Sequence, residues 1–461
     1  GLENLVEIGS YFFIEFNNSF SSFDGLSSLT TIQNSFEIWY NNNLDSIVGL
    51  ESLSYIGESL FIHDNSSLSV INGFDNLADT LEFLGIEDNP NLHSIVNIGN
   101  ATISNSIRIS RNPLLANIQG LESFTLIKGN LIIAGCNHLE DLYGLHNITR
   151  VDGGCYINAN YKLSNLSGLN NLNYVGKELE VGDCSNLKSL EGLDSLEVIK
   201  GSLKISGTDS LIDFTGIENL DTLGGLVLLN NKALANFNGL EISSNVFNFL
   251  YVYRNDNLHD FSGLEMINEI AFCEVKYNPH LENFSGLDSV TFMGLLWVDG
   301  NPSLLSLSGI DNIDAESMAN IFIRNNALLS MCHVQSICDF LASPNGSISI
   351  QNNAPGCNSV GEVEDSCGIV TIAENAVMDR IAVFPNPFTT SVTIEYELYT
   401  LSNIQITIYN MMGELVFTDK RHGLSPGRHT ITLSTGHLSP GMYYAVLRSG
   451  NGVSVVKMVK Q

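Results

Sequence analysis

Four cysteines lie close together in the sequence and could form either disulfide bonds or a metal site. Cys332, Cys338, Cys357 and Cys367 fall within 36 residues. Zinc-binding cysteines are usually separated by about two to four residues, whereas five and nine residues separate the members of these two pairs. We therefore expect two disulfides and no bound metal. Of the three possible pairings, we favour Cys332 with Cys357 and Cys338 with Cys367.

Motifs that mark common enzyme active sites are missing from the sequence. The chain contains no H-E-x-x-H, G-x-S-x-G or P-loop motif, and no G-x-G-x-x-G that follows a strand. Its ten histidines are scattered. We predict that the protein is not an enzyme and uses no cofactor. The alternative is an active site assembled from residues that lie far apart in the sequence.

Composition and charge narrow the possible partners. The 461 residues include 50 Asp and Glu against 20 Lys and Arg, for a net charge of −30. Nucleic-acid binding requires a basic surface, so we expect no nucleic-acid partner. Hydrophobic residues make up 44% of the chain, enough for a large core. A transmembrane helix needs about 18 consecutive apolar residues, and the sequence has no such run.

An internal repeat dominates the sequence. A Gly-Leu pair or a close variant recurs every 23 or 24 residues, and Asn97-Ile98 fills the one missing place, which makes fourteen copies. The first copy begins in phase at the start of the chain, so we expect further residues before it in the natural protein. The pairs begin at Gly1, Gly25, Gly49, Gly73, Gly120, Gly144, Gly168, Gly192, Gly216, Gly239, Gly263, Gly286 and Gly309.

A polar residue recurs in phase with this repeat. Three copies carry Cys136, Cys184 and Thr208 at this place, and all others carry Asn. Side chains of this kind hydrogen-bond well in confined corners, so we predict a ladder in which each one pairs with backbone groups of the next coil. The asparagines are Asn17, Asn41, Asn65, Asn89, Asn112, Asn160, Asn231, Asn255, Asn278, Asn301 and Asn326.

The apolar pattern within each copy predicts strands rather than helices. An L-x-I segment with strand alternation precedes the ladder residue, and helical spacing is absent. A single copy cannot bury its apolar residues alone. We therefore predict a parallel β-solenoid of fourteen coils, not a horseshoe of strands and helices. Cys155 and Cys273 fall at inward strand positions, where cysteine usually acts as a small buried hydrophobe.

This repeat resembles the receptor L domain, the leucine-rich-repeat-like β-helix of growth-factor receptor ectodomains, and related repeats of bacterial surface proteins. The resemblance covers residues 1–331. It implies a right-handed solenoid that binds ligands or mediates adhesion. The array is longer than a receptor L domain, so individual ligand contacts cannot be transferred.

A cysteine-rich cap is predicted at 332–368. Val334, Ile337, Cys338 and Leu341 have helical spacing. A short helical segment stapled by the two disulfides would cover the open end of the last coil.

The periodicity ends after the cap, and a different module follows. Residues 1–368 contain 13 basic and 44 acidic residues, whereas 369–461 contain seven and six, so the net charge changes from −31 to +1. Short alternating strands separated by Pro-Gly turns predict an immunoglobulin-like antiparallel β-sandwich at 378–461, after a linker at 369–377.

Several motifs of this module occur in a characteristic order. Phe384-Pro385-Asn386-Pro387 opens it, Ile408–Val416 with Gly413 lies in the middle, and Leu438–Tyr443 with Gly441 precedes the last hairpin, near whose end Lys457 lies. Together they resemble the type A C-terminal sorting domain of the Bacteroidetes type IX secretion system, except that Asn410 stands where an Asp is usual. The resemblance implies export by that machinery, cleavage of the module by its sortase, and a location outside the cell or on the outer membrane.

Outward-facing positions of the predicted strands carry many aromatic residues. They form one group near the start of the array and another near its end. Exposed aromatic patches often mark interfaces, and a ring suits the apolar face of a sugar; packing between neighbouring strands is the alternative. The candidate ligand-binding residues are Phe13, Trp39, Tyr40, Phe61, Tyr251, Tyr253, Tyr277, Trp297 and Phe322, with Phe16 and His63 beside them.

Charged residues of both signs lie between these two groups on the same face. Parallel β-helix lyases place calcium-binding carboxylates beside a basic residue there, and Glu87, Asp88 and Arg108 come nearest to such a set but lack further carboxylates. We interpret the charges as a solvated face. The full set is Glu87, Asp88, Arg108, Arg111, Glu180, Asp183 and Lys204.

Three functions remain open on the sequence alone. We favour a monomeric surface protein that binds an extracellular glycan or protein through the solenoid face. The alternatives are a β-helix polysaccharide lyase or hydrolase, and a structural spacer.

Overall fold

The computed structural model describes residues 1–368, 381–398, 401–410, 414–449 and 452–461. The chain folds as two units, Gly1–Ile369 and Val370–Gln461. The linker predicted at 369–377, and residues 378–380 of the predicted sorting module, lie outside the described residues.

The first unit is a parallel β-solenoid, as the repeat predicts. The L-x-I segment of each coil forms a strand that pairs in register with the same segment of the next coil, so that Leu226 lies beside Leu250 and Val227 beside Tyr251. We call the resulting sheet of fifteen parallel strands the long sheet. Its strands are Phe12–Glu15, Phe36–Trp39, Ser59–His63, Thr80–Glu87, Thr102–Ser110, Leu131–Ala134, Cys155–Asn158, Leu179–Gly182, Val198–Ser206, Thr222–Leu229, Val246–Tyr253, Glu269–Lys276, Phe292–Asp299, Asn320–Arg324 and Ser347–Gln351.

Shorter strands line the other sides of the coils. Long strands such as Val198–Ser206 bend and supply both the long sheet and a neighbouring one. The separate short strands are Glu7–Ile8, Thr31–Ile32, Tyr55–Ile56, Leu126–Ile127, Arg150–Val151 and Tyr174–Val175 on one side, and Ser46–Ile47, Val70–Asn72 and Ser94–Asn97 on another. Single 3-10 turns occur at Asp24–Leu26, Gln119–Leu121 and Ala315–Ser317.

The core is one continuous column of apolar side chains inside the coils. Within it Phe214, Phe237, Phe261 and Phe284 stack from coil to coil with ring centroids 5.1–5.8 Å apart. Each of these rings is fully buried, so the column exists only because neighbouring coils cover one another.

The predicted ladder is present along the solenoid. The Asn41 backbone N–H donates to Asn65 Oδ1 at 3.0 Å, and the Asn41 side-chain amide donates to the Ile14 carbonyl at 2.8 Å. The same pattern recurs at later coils and extends past Asn326 to Asn353, a residue that the repeat did not predict. All ladder residues from Asn41 to Asn326 are fully buried, whereas Asn17 is exposed.

Two helices and two disulfides close the end of the solenoid. Helix α1 (Gln335–Ala342) buries Ile337, Phe340 and Leu341, and helix α2 (Val360–Ser366) follows it. The disulfides join Cys332 to Cys357 and Cys338 to Cys367, the pairing favoured from the sequence. The last strand of the long sheet, Ser347–Gln351, lies within this cap segment.

In its described residues, the second unit forms two antiparallel sheets around a common core. Strands Ile381–Phe384, Ser391–Leu398 and Gly427–Ser434 form one sheet. The other sheet contains Leu415–Leu424, Ser402–Asn410, Gly441–Ser449 and Gly452–Lys460. Buried residues of both sheets, such as Ile394 and Leu447, share one apolar cluster, which makes the unit a β-sandwich.

Candidate functional site

Each strand of the long sheet ends in a corner with a left-handed backbone. The residue just before the ladder position has a positive φ in coil after coil, and where it is not glycine its φ lies between 51° and 60°. This conformation is uncommon for bulky side chains, yet none of these residues is buried. The corner residues therefore form an accessible row beside the sheet. They are Phe16, Tyr40, Asp64, Asp88, Arg111, Ala159, Asp183, Asn230, Arg254, Tyr277, Asn325 and Asn352, with glycine at 135, 207 and 300.

The first aromatic group is a connected stack of rings. Phe16 stacks on Tyr40 with ring centroids 5.0 Å apart. The Trp39 ring centroid lies 5.0 Å from that of Phe16, and His63 stacks on Trp39 with centroids 5.3 Å apart. Phe13, Phe16 and Tyr40 are exposed, whereas Trp39 is half-buried. The indole N–H of Trp39 is buried and has no hydrogen-bond partner in the described part of the chain.

The second aromatic group encloses charged side chains. The Lys276 ammonium lies 3.3 Å from the centre of the Trp297 ring and 2.6 Å from a Glu274 carboxylate oxygen. The Tyr253 hydroxyl donates a hydrogen bond to the same carboxylate. On its other side Trp297 contacts Phe322, with ring centroids 5.4 Å apart. Trp297 is therefore largely occupied by its own neighbours, which fits packing better than ligand contact.

Burial changes the pKa values of two tyrosines in the second aromatic group. Desolvation and the hydrogen bond to Glu274 raise the pKa of the Tyr253 phenol far above its ordinary value. Burial also raises the pKa of Tyr251, which stacks on Phe249 at 5.0 Å. Both phenols stay protonated near neutral pH, so neither is prepared to serve as a phenolate base.

Several rings of the sheet lie against glycines of the neighbouring coil. A Cβ on Gly85 would come within 2.8 Å of the Phe61 ring, and a Cβ on Gly225 would come within 2.8 Å of the Phe249 ring. The glycines thus leave room for rings to settle onto the sheet. Packing between strands and ligand binding are therefore compatible for these aromatic residues, since a ring that packs on a glycine can still present its other side to solvent.

The nine predicted ligand-binding residues are all placed at the sheet surface, with different degrees of exposure. Phe13, Tyr40 and Tyr277 are the exposed ones, at 49%, 39% and 50%, and the other six are half-buried. Tyr11 and Phe272 are also exposed and belong to the same surface, although neither is among the residues predicted from the sequence. Both residues could have been found from the sequence, because each occupies the outward position two residues before the centre of an L-x-I segment.

Six of the seven predicted charged residues form ion pairs within the set, and Asp183 is the exception among the described contacts. Arg111 Nε lies 2.6 Å from Asp88 Oδ1 and its guanidinium 3.3 Å from Glu87, while Lys204 Nζ lies 2.9 Å from Glu180. Within the described residues no group of three or more His, Cys, Asp or Glu side chains could hold a metal ion. This arrangement supports the interpretation as a solvated face of mixed charge.

The four cysteines outside the cap are buried in the solenoid interior. Burial raises the pKa of the Cys136, Cys155, Cys184 and Cys273 thiols to about 12. A thiol rather than a thiolate is present at neutral pH, so these cysteines are poor nucleophiles and poor metal ligands.

A shallow cleft of about 430 Å³ runs along the corner row near the end of the solenoid. Two rows of residues from four successive coils line it. Asn230, Arg254, Tyr277 and Gly300 are the corner residues, and Lys232, Asp256, Pro279 and Pro302 each follow the ladder residue of the same coil. Of these only Tyr277 was singled out from the sequence.

The second unit brings distant motif residues together. The Asn386 side-chain amide donates to the Lys457 carbonyl at 3.0 Å, and Val459 N donates to Asn386 Oδ1 at 2.8 Å. Tyr443 is buried and its hydroxyl donates to the Ser439 carbonyl at 2.8 Å.

The other predicted sorting residues lie around this contact or outside the described part. Pro385 and Pro387 flank Asn386 in the turn before strand Ser391–Leu398, and Gly441 begins strand Gly441–Ser449. Gly413 lies outside the described residues.

Comparison with known proteins assigns this second unit. Residues 382–461 match the family described as a secretion system C-terminal sorting domain. A search of curated proteins found no match. The chain is therefore exported to the cell surface or the extracellular space of a Bacteroidetes bacterium by the type IX secretion machinery. Within the described residues no helix is long and apolar enough to cross a membrane.

Proposed function

We propose that the chain is a non-enzymatic recognition protein whose long sheet binds a glycan or a protein ligand outside the cell. The observation that carries this proposal is the concentration of accessible rings on one surface. Phe13, Phe16, Tyr40, Phe272 and Tyr277 are each at least 39% exposed, and all lie on the long sheet or in its corner row. Exposed apolar patches on a soluble protein usually mark contact sites.

The export route supports recognition of a partner outside the cell. Ligands there include polysaccharides and proteins, and aromatic side chains contact both classes well. The resemblance of the repeats to receptor L domains points in the same direction. The negative charge of the first unit disfavours strongly anionic polymers as partners.

A polysaccharide lyase or hydrolase is the second candidate, because the second aromatic group contains a Glu, a Lys and a Tyr in mutual contact. Lys276 is covered by Trp297, and Glu274 already accepts from both Lys276 and Tyr253. The raised pKa of Tyr253 favours the protonated phenol, which is the wrong form for a general base. These features favour a structural role for the network.

The proposal is tested with the full chain on an array of glycans and purified extracellular proteins. One variant removes rings near the start of the sheet (Phe16→Ser with Tyr40→Ser), and another removes rings near its end (Tyr251→Ser with Phe272→Ser and Tyr277→Ser). We expect at least one of them to lose the binding that the unchanged protein shows. The matched control is Tyr143→Ser with Met266→Ser, which removes exposed apolar side chains outside the long sheet.

Binding that survives in both sheet variants would overturn the proposal. Release of shortened sugars from a polysaccharide by the unchanged protein would favour the enzyme instead. Loss of binding in the control variant as well would indicate that the ligand is not recognised by the long sheet.

A further inference from the structure

The corner cleft combines an aromatic ring with hydrogen-bonding groups in a fixed array. Because its lining residues come from four neighbouring coils, they repeat at the spacing of parallel strands, about 4.8 Å. Arg254 and Asp256 come from one coil, and Tyr277 comes from the next. The ordered β-solenoid fixes the backbone positions of all three residues, so the cleft is largely preformed.

Tyr277 forms an accessible platform in this cleft. A Cβ on Gly300 would come within 2.6 Å of the Tyr277 ring, so the ring rests on that glycine while half of its surface stays exposed. The corner does not require glycine, since Arg254 and Tyr277 adopt the same left-handed conformation at φ 53° and 60°. Gly300 therefore provides space for the ring rather than backbone freedom.

The polar groups around the ring are available and balanced in charge. Within the described residues, neither the Arg254 guanidinium nor the Asp256 carboxylate takes part in a salt bridge, although Arg254 lies 5.9 Å from the centre of the Tyr277 ring. Lys232 pairs with Asp209 at 2.6 Å. Two cations and two carboxylates therefore leave the cleft close to neutral.

We propose that this cleft binds a pyranose unit of a neutral glycan. The apolar face of the sugar stacks on Tyr277, while Arg254 donates hydrogen bonds to its hydroxyls and Asp256 accepts from them. This inference rests on the proposed function and names the site and the ligand class. A neutral sugar fits better than a uronate, because the cleft has no excess positive charge and the first unit carries −31.

Binding of defined oligosaccharides to the full chain tests the inference. Calorimetric titration with cellotetraose and mannotetraose, and with tetragalacturonate as the anionic comparison, measures affinity for both ligand classes. We expect at least one neutral tetraose to bind, Tyr277→Ala to weaken it by about tenfold or more, and Tyr277→Phe to retain it, because the ring remains. Asp256→Asn should weaken binding by less, since the amide oxygen still accepts.

The control Tyr143→Ala removes a ring of equal exposure outside the long sheet and should leave binding unchanged. Circular dichroism and the melting temperature establish that Tyr277→Ala is folded. Binding of the tetragalacturonate alone, or neutral binding that Tyr277→Ala does not change, would overturn the inference. If the variant Tyr251→Ser with Phe272→Ser and Tyr277→Ser abolishes binding on the array while Tyr277→Ala alone does not, the proposed function stands and only this site fails.

Discussion

Asn255 shows at the scale of one residue how the coils are held together. Its backbone N–H donates to Asn278 Oδ1 at 2.9 Å, and its own Oδ1 accepts from the Asn231 amide at 3.0 Å. It is fully buried, so water cannot replace these partners. A ladder residue is therefore simultaneously a core residue and a connection between three coils.

Replacing Asn255 with Ala should lower the free energy of unfolding by several kcal/mol. At least two buried polar groups lose their partner, and each unpaired group costs about 1–3 kcal/mol. Chemical denaturation followed by circular dichroism measures the change. Asn17→Ala is the matched control, because Asn17 is exposed and should cost much less. Equal destabilisation by the two variants would contradict the role assigned to the buried ladder.

In the corner row, by contrast, a substitution is expected to raise the stability of the protein. Ala159 has φ 54°, a conformation that costs an L-residue about 1–2 kcal/mol but costs glycine almost nothing. Ala159→Gly should therefore stabilise the protein by about 0.5–1 kcal/mol, after allowance for the greater chain entropy of glycine. The reverse change, Gly135→Ala at φ 67° in the preceding coil, should destabilise it. A fall in melting temperature for Ala159→Gly would contradict this account.

The coil is the element that explains the Gly-Leu repeat. Gly263 has φ 105°, and a Cβ there would lie 2.3 Å from the Phe237 backbone carbon of the preceding coil. Both the backbone conformation and the close approach of the coils therefore require glycine at this point. Gly25 occupies the same place in the repeat, yet a Cβ on it would meet nothing within 4 Å.

Because the space around the two glycines differs, the same substitution should have different effects on stability at Gly263 and at Gly25. Gly263→Ala should destabilise the solenoid by about 3 kcal/mol, because the new methyl group forces the neighbouring backbone to shift. Gly25→Ala should change stability by less than about 0.5 kcal/mol. Denaturant midpoints of the two variants provide the comparison. Similar midpoints would mean that the repeat glycine has no steric role.

The periodicity of the sequence made the coils predictable, whereas features that do not follow the repeat could not be predicted from it. The alternation around Leu226 and Leu228 predicts a strand, and the buried place of Asn231 follows from its phase. The cap breaks the period, so Asn353 and the last strand, Ser347–Gln351, could not be found by counting. The corner cleft was missed for another reason. Arg254 and Tyr277 are 23 residues apart, and only the left-handed corner and Gly300 reveal that they face one ligand-sized space.

At the scale of the whole molecule, part of the acidity has a structural use. Several coil glycines donate their backbone N–H to a carboxylate two residues later, as Gly216 does to Glu218 and Gly286 to Asp288, each at 3.0 Å. These carboxylates stabilise turns and are not evidence of a cation site. The charge also does not extend to the sorting domain, which is close to neutral.

The stability of a solenoid depends on its ends, because each coil is supported only by its neighbours. Helix α1 and helix α2 cover the last coil, and disulfides of 25 and 29 residues' separation hold this cap in place. Closing a loop of that length is expected to stabilise the folded state by about 3 kcal/mol or more. Loss of the cap would expose the apolar column and the edge of the long sheet.

Replacing Cys338 and Cys367 with Ser should therefore loosen the molecule from the cap inward rather than uniformly. Hydrogen exchange should speed up first in Ser347–Gln351 and Asn320–Arg324, while the strand Leu179–Gly182 keeps its protection. Replacing the free Cys184 with Ser is the control for lost thiols, and its effect should stay near its own coil. Uniform acceleration across all coils would show that the solenoid unfolds as one cooperative body and that the cap does not act as a local brace.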